Sequence, residues 1–144
     1  MKDNNPVQLK TSKEFEIRFS EVDSMRIVWH GSYALYFEDA REQFGKDFGL
    51  SYMDFFENGY YVPLVDLSFS FKKPLRFRQK ARIEITYRNV AAAKVIFDYE
   101  IRLSTDDSLI ATGTSTQVFL DANYNLVWSN PPFYEAWKKK YNLL

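Results

Sequence analysis

One helical stripe set among strands restricts this chain more than any other feature. Tyr33, Phe37, Ala40, Phe44 and Phe48 recur at intervals of four, three, four and four, which puts them on one face of an α-helix. Glu38, Arg41, Glu42 and Lys46 fall on the wetter side, with Glu42 and Lys46 spaced for an ion pair and Glu38 able to pair with Arg41. Ser32 stands where an N-cap belongs, and Gly49 where a helix can close. The other periodic segments repeat every two residues. Phe15, Ile17 and Phe19 alternate with Glu16, Arg18 and Ser20, and Val65, Leu67, Phe69 and Phe71 with Asp66, Ser68, Ser70 and Lys72. Ile83, Ile85 and Tyr87 form a third apolar face, and Val95 to Leu103 a fourth. The last strand, 109–120, is rich in Thr and Ser, and Ala111 and Gly113 leave room there for another backbone or subunit.

A capped turn of helix over 51–58 and a short C-terminal helix at 132–141 complete the periodic segments, while the polar residues 1–13 read as a flexible arm. The order is strand, helix, then four strands on mostly short links, without βαβ alternation. This predicts an α+β class, with one apolar helix across a curled five-stranded antiparallel sheet. The 144 residues suit a single domain, and 46% hydrophobic with 18% aromatic residues exclude a disordered chain. Nineteen basic and nineteen acidic side chains cancel, so no overall field recruits nucleic acid or an anionic membrane. The absence of cysteine removes disulfides, thiolate metal sites and cysteine nucleophiles. No apolar run approaches the roughly 20 residues of a membrane span and the N-terminus lacks a leader's apolar core, so the expected location is the cytoplasm.

Between the first strand and the helix lies DSMRIVWHGSY, residues 23–33, an aperiodic loop with an acid at its start and the only histidine near its end. A carboxylate and backbone donors at a helix N-terminus suit attack on a carbonyl. The string resembles the hotdog-fold acyl-CoA thioesterases of the 4-hydroxybenzoyl-CoA thioesterase-like family. Their pattern is Asp-x-x-Gly-x-Val-x-(His or Asn)-x-x-Tyr, followed by a helix reading Tyr-Phe-Glu-x-Ala-Arg. Asp23, Val28, His30, Tyr33, Tyr36, Phe37, Glu38, Ala40 and Arg41 match in register, and FSFKKPLRF at 69–77 is similar to the family's strand-end segment. The usual glycine is Arg26, whose side chain would narrow the acyl pocket or touch the ligand.

The resemblance implies a sheet wrapped around the central helix, hydrolysis of an acyl-CoA to acid and CoA, and Asp23 as the catalytic carboxylate. Backbone N–H groups of His30 and Gly31 would hold the oxyanion, with Tyr33 as core or pocket wall rather than an acid catalyst. Glu38 is the alternative acid, by analogy with another hotdog lineage. Lys72, Lys73, Arg76, Arg78 and Lys80, with Phe71 and Phe77 between them, form a basic cluster suited to the phosphates of CoA. The resemblance also implies a homo-oligomer, dimer or tetramer, with the site near the subunit interface, and no metal or other cofactor. Two rivals follow: a non-catalytic acyl-CoA or acyl-carrier binding protein in which Arg26 blocks turnover, and a hotdog dehydratase or hydratase pairing His30 with Glu38.

Overall fold

The computed structural model describes residues 8–144. Strand β1 (Lys10–Glu16) is followed by a 3-10 turn (Phe19–Glu21), the long helix α1 (Ser32–Phe48) and the short helix α2 (Tyr52–Glu57). Then come β2 (Leu64–Phe71), β3 (Lys80–Arg88), β4 (Val95–Leu103), β5 (Leu109–Gln117), the short strands β6 (Phe119–Leu120) and β7 (Leu126–Val127), and helix α3 (Pro132–Lys140). Five strands make one antiparallel sheet in the order β1-β3-β4-β5-β2, and β6 and β7 pair separately.

Period two becomes one buried face. Ile83 opposes Ile101, Ile85 opposes Tyr99, and Tyr87 opposes Phe97, all of them buried. Tyr99 in turn opposes Gly113, and Gly113 opposes Phe69. Helix α1 lies against this face along the expected stripe. Tyr36 meets Phe15 of edge strand β1 at 4.5 Å between ring centroids, and Phe37 meets Phe69 of the opposite edge strand β2 at 5.0 Å. In a flat sheet those edges stand about 19 Å apart, four strand spacings of about 4.8 Å. Neighbouring residues of one helix reach both edges only if the sheet curls around it. The expected wrapped sheet is present.

Phe37 stacks on Tyr99 at 4.2 Å, and Phe44 sits among Phe97, Tyr87 and Trp137. Helix α3 closes the far end of the core. Trp137 Nε1 donates to Phe48 O at 2.7 Å and Tyr141 Oη to the same oxygen at 3.3 Å, satisfying a carbonyl that the end of α1 leaves without an intrahelical donor.

Several local expectations change. Residues 10–13 belong to β1, paired with Ile83 to Thr86, and are not part of an arm; residues 1–7 of that arm lie outside the described residues. The strand ends at Glu16, and Phe19 turns out to water. The cap of α1 is Gly31, while Ser32 is the first helical residue and its Oγ donates to Glu21 O. The room at Gly113 is taken within the chain, since a Cβ there would lie 2.1 Å from the Phe37 ring and 2.8 Å from Ser68 O. Glu42 and Lys46 form their ion pair at 3.4 Å. Arg41 turns instead to Tyr99 Oη at 3.0 Å, and that hydroxyl bonds Ser115 Oγ at 2.6 Å.

Candidate active site

The segment from Asp23 to Tyr33 is built as a tight turn followed by a helix start. Asp23 N–H donates to Ile27 O and Arg26 N–H to Asp23 O, each at 2.9 Å. Asp23 Oδ1 accepts Met25 N–H at 2.8 Å. This side-chain turn is the local device for which Asp is favoured in turns. It fixes one carboxylate oxygen of a residue that lines the cleft. Arg26 completes the turn at φ 64°, in the left-handed region. The resembling family's glycine at this position thereby has a conformational reason.

Glu21 anchors the second half of the loop through its backbone. Its carbonyl accepts Trp29 N–H at 2.9 Å and Ser32 Oγ at 3.3 Å. Ser32 N–H donates to Trp29 O and Tyr33 N–H to His30 O. Among the described residues the N–H groups of His30 and Gly31 have no hydrogen-bond acceptor. They stand at the N-terminal end of a helix of 17 residues, where the backbone dipole favours negative charge. The Trp29 ring folds over Gly31, so close that a Cβ at Gly31 would fall 2.1 Å from it, and stands 5.0 Å from the His30 ring.

Across this loop lies the end of β2 and its exit. Val28 N–H donates to Leu75 O, and Ile27 bridges Arg76. The space between holds a cleft of about 320 Å³ lined by Asp23, Met25, Ile27, Val28, His30, Tyr33, Phe71, Lys72, Lys73 and Pro74. Burial pushes the Tyr33 hydroxyl up to about 12, so it stays a neutral phenol in any ordinary buffer. The Tyr33 ring packs edge-on against Phe71 at 4.9 Å, which makes it a wall of the cleft.

Of the expected site residues, Asp23, His30, Tyr33 and Lys73 come together in this cleft. Gly31 adjoins it next to His30. Arg26 is exposed and outside the lining, so it does not narrow the cleft as expected. Arg76 and Arg78 also lie outside the lining, on the segment that leaves it. Glu38 is exposed on α1 and absent from the lining. Met25, Ile27 and Pro74 line the cleft without having been singled out, and Glu21 was overlooked because its part is played by a backbone carbonyl.

Residues 17–138 match the family described as the thioesterase-like superfamily. YneP of Bacillus subtilis (strain 168), whose name provisionally assigns it acyl-CoA thioesterase activity, is 32% identical over 111 residues, covering 77% of this chain and 80% of that protein. The crystal structure of a DHNA-CoA thioesterase from Staphylococcus aureus superposes with a TM-score of 0.81 at 26% identity, covering 93% of this chain and 92% of that one. A 1,4-dihydroxy-2-naphthoyl-CoA thioesterase from Synechocystis gives a TM-score of 0.79 at 18% identity, covering 89% and 94%, a likeness of fold.

Proposed function

The chain belongs to the thioesterase-like superfamily, and from that premise we propose that it is a thioester hydrolase that cleaves an acyl-CoA to the free acid and CoA. One observation carries the reading of its site. The cleft gathers a carboxylate, a helix N-terminus with unengaged N–H groups, and two lysines in one space.

In this reading the thioester carbonyl lies between Asp23 and the start of α1. Asp23 promotes attack by one of two routes: it takes a proton from water as the water oxygen bonds the carbonyl carbon, or it attacks that carbon and water then cleaves the anhydride. Either way negative charge grows on the carbonyl oxygen, and the N–H groups of His30 and Gly31 point their partial positive charge at it. Collapse of the tetrahedral species breaks the carbon–sulfur bond, CoA leaves as the thiolate, and it takes up a proton. Tyr33 and Phe71 wall the acyl group. Lys73, with Lys72 beside it, meets the phosphates, and Arg76, Arg78 and Arg26 extend that positive surface outward. We read the described chain as one catalytic domain.

The chain further acts as a homo-oligomer, we propose, through strand β2. This strand is hydrogen-bonded to β5 on one side only, and Val65 and Phe71 on it are 58% and 51% exposed. A long apolar edge is a template for a second strand, and Phe71 would bring that interface to the cleft. Light scattering at micromolar protein should read a dimer or larger, and a monomer would sink this part of the proposal. Among the described residues no helix is long and apolar enough to cross a membrane.

The test is CoA release from short, medium, long and aromatic acyl-CoAs by the native chain and by Asp23→Asn. Asparagine keeps the side-chain oxygen that accepts Met25 N–H, so the turn survives and only the charge is lost. Turnover should fall by about a hundredfold or more, the scale of a lost base or nucleophile. Undiminished turnover would remove Asp23 from the mechanism and direct attention to Glu38.

A further inference from the structure

Beside the cleft, next to Arg76 and Arg78, lies an aromatic pair to which the hydrolytic reading gives no role. Phe19 and Phe77 form an edge-to-face pair with centroids 5.7 Å apart, yet they are 76% and 41% exposed. The Arg78 guanidinium carbon stands 5.2 Å from the centre of the Phe77 ring. Arg76 lies on the same turn, and among the described residues neither Arg76 nor Arg78 has a carboxylate within 4.0 Å. Two rings in water with two uncompensated guanidinium groups ask for a ligand that is flat and anionic.

The turn that presents them is tied down on several sides. Ile17 N–H donates to Gln79 O at 2.9 Å and Arg78 N–H to Ile17 O at 3.2 Å. Gln79 N–H donates to Arg76 O at 3.1 Å, and Gln79 Oε1 accepts Arg76 N–H at 2.8 Å. Arg78 sits at φ 69°, a backbone conformation that side chains other than glycine rarely adopt, and the turn holds it there. The patch is also joined to the cleft. Arg76 bridges Ile27 of the cleft wall, and Phe77 follows Pro74 of the lining by three residues, at most about 11 Å of chain.

We infer that this patch binds the adenine nucleotide of CoA, with the base stacked on the Phe19–Phe77 pair and a phosphate held by Arg76 and Arg78. The inference rests on the acyl-CoA reading above and deepens it. The acyl group and thioester occupy the cleft at Asp23, Lys72 and Lys73 stand at the exit of the pantetheine arm, and the nucleotide reaches the aromatic pair. A guanidinium is suited to the phosphate because its planar fork matches two oxygens at once. The patch gives the enzyme a way to choose. An acyl group carried on CoA presents a nucleotide, whereas the same acyl group on a carrier protein presents none.

The experiment compares kcat/KM for one acyl group on CoA and on pantetheine, which lacks the nucleotide, in the native chain, Phe77→Ala and Phe19→Ala. It is paired with calorimetric titration of adenosine 3′,5′-bisphosphate. Loss of a base–aromatic stack weakens binding by roughly 5- to 150-fold. Phe77→Ala should therefore raise KM for the acyl-CoA about tenfold or more with kcat unmoved, lower the CoA-to-pantetheine preference by the same factor, and weaken the bisphosphate. Phe19→Ala, at a position mostly in water, should act in the same direction without risk to the core. An unchanged preference in Phe19→Ala and Phe77→Ala alike overturns the inference, as does a native chain that shows no saturable binding of the bisphosphate. Failure of the hydrolase reading looks different: no acyl-CoA is cleaved, while the bisphosphate titration still decides whether the nucleotide patch exists.

Discussion

Arg26 shows how one residue separates what is local from what is not. Its φ of 64° closes the turn that carries Asp23, and its side chain points no function into the cleft lining. The left-handed conformation costs an L-residue roughly 1–2 kcal/mol, which glycine avoids. Glycine loses more backbone entropy on folding, by about 0.5–1 kcal/mol. Arg26→Gly should therefore stabilise the fold by a net of roughly 0.5–1 kcal/mol, read as a higher urea midpoint with unchanged slope. A drop in the midpoint would mean that the Arg26 side chain makes a contact worth more than the strain. That these residues form a loop was legible from their lack of any period, and the turn within it is local, its hydrogen bonds running between residues two to four apart. The fate of the Arg26 side chain was not, since only the opposing segment from β2 to β3 decides where the cleft lies. Glu21 escaped notice for a related reason: a carbonyl that anchors Trp29 and Ser32 can belong to any residue type.

Among the elements, β5 reverses an expectation drawn from propensity alone. Glycine within a strand is worse than alanine by about 0.5–1 kcal/mol, so Gly113→Ala would ordinarily stabilise. Here the new Cβ would sit 2.1 Å from the Phe37 ring and 2.8 Å from Ser68 O, and Phe37 is already locked by its stack on Tyr99. Overpacking of this kind typically costs about 1–3 kcal/mol. Gly113→Ala should be destabilised by that amount in urea unfolding, and a neutral or stabilised variant would show that α1 can shift off the sheet. The stripe of α1 and the faces of β2, β3 and β4 were readable because one side of each is wet. Strand β1 was half missed because its residues 10–13, Lys-Thr-Ser-Lys, lie mostly in water at the sheet edge and carry no apolar alternation. The alternation also overran into Phe19, where the chain had already left the sheet for a 3-10 turn.

At the scale of the whole molecule, the core is unusually phenolic. Five of the ten tyrosines, Tyr33, Tyr36, Tyr87, Tyr99 and Tyr134, are buried, and burial is the leading cause that raises each of their pKa values. At Tyr36 the nearby Glu21 charge adds to it, while at Tyr99 the neighbouring Arg41 charge opposes it. A phenol whose folded pKa lies above its unfolded value is held neutral by the fold. Its contribution to stability is complete below the ordinary value of 10.0 and disappears as the pH rises through the folded value, which for Tyr33 is about 12. Stability should thus be insensitive to these groups at neutral pH and collapse between about pH 10 and 12. Spectrophotometric titration should show a steep rise in absorbance as the buried phenols ionise together with loss of the folded circular-dichroism signal. The steepness follows from packing. Tyr87 and Tyr134 bond each other, and Tyr99 bonds Arg41 and Ser115 between helix and sheet. None of these hydroxyls can release its proton without a charge being left in a closed interior. Ionisation of these buried phenols with the fold intact would mean that the interior admits water and that the helix does not seal the sheet.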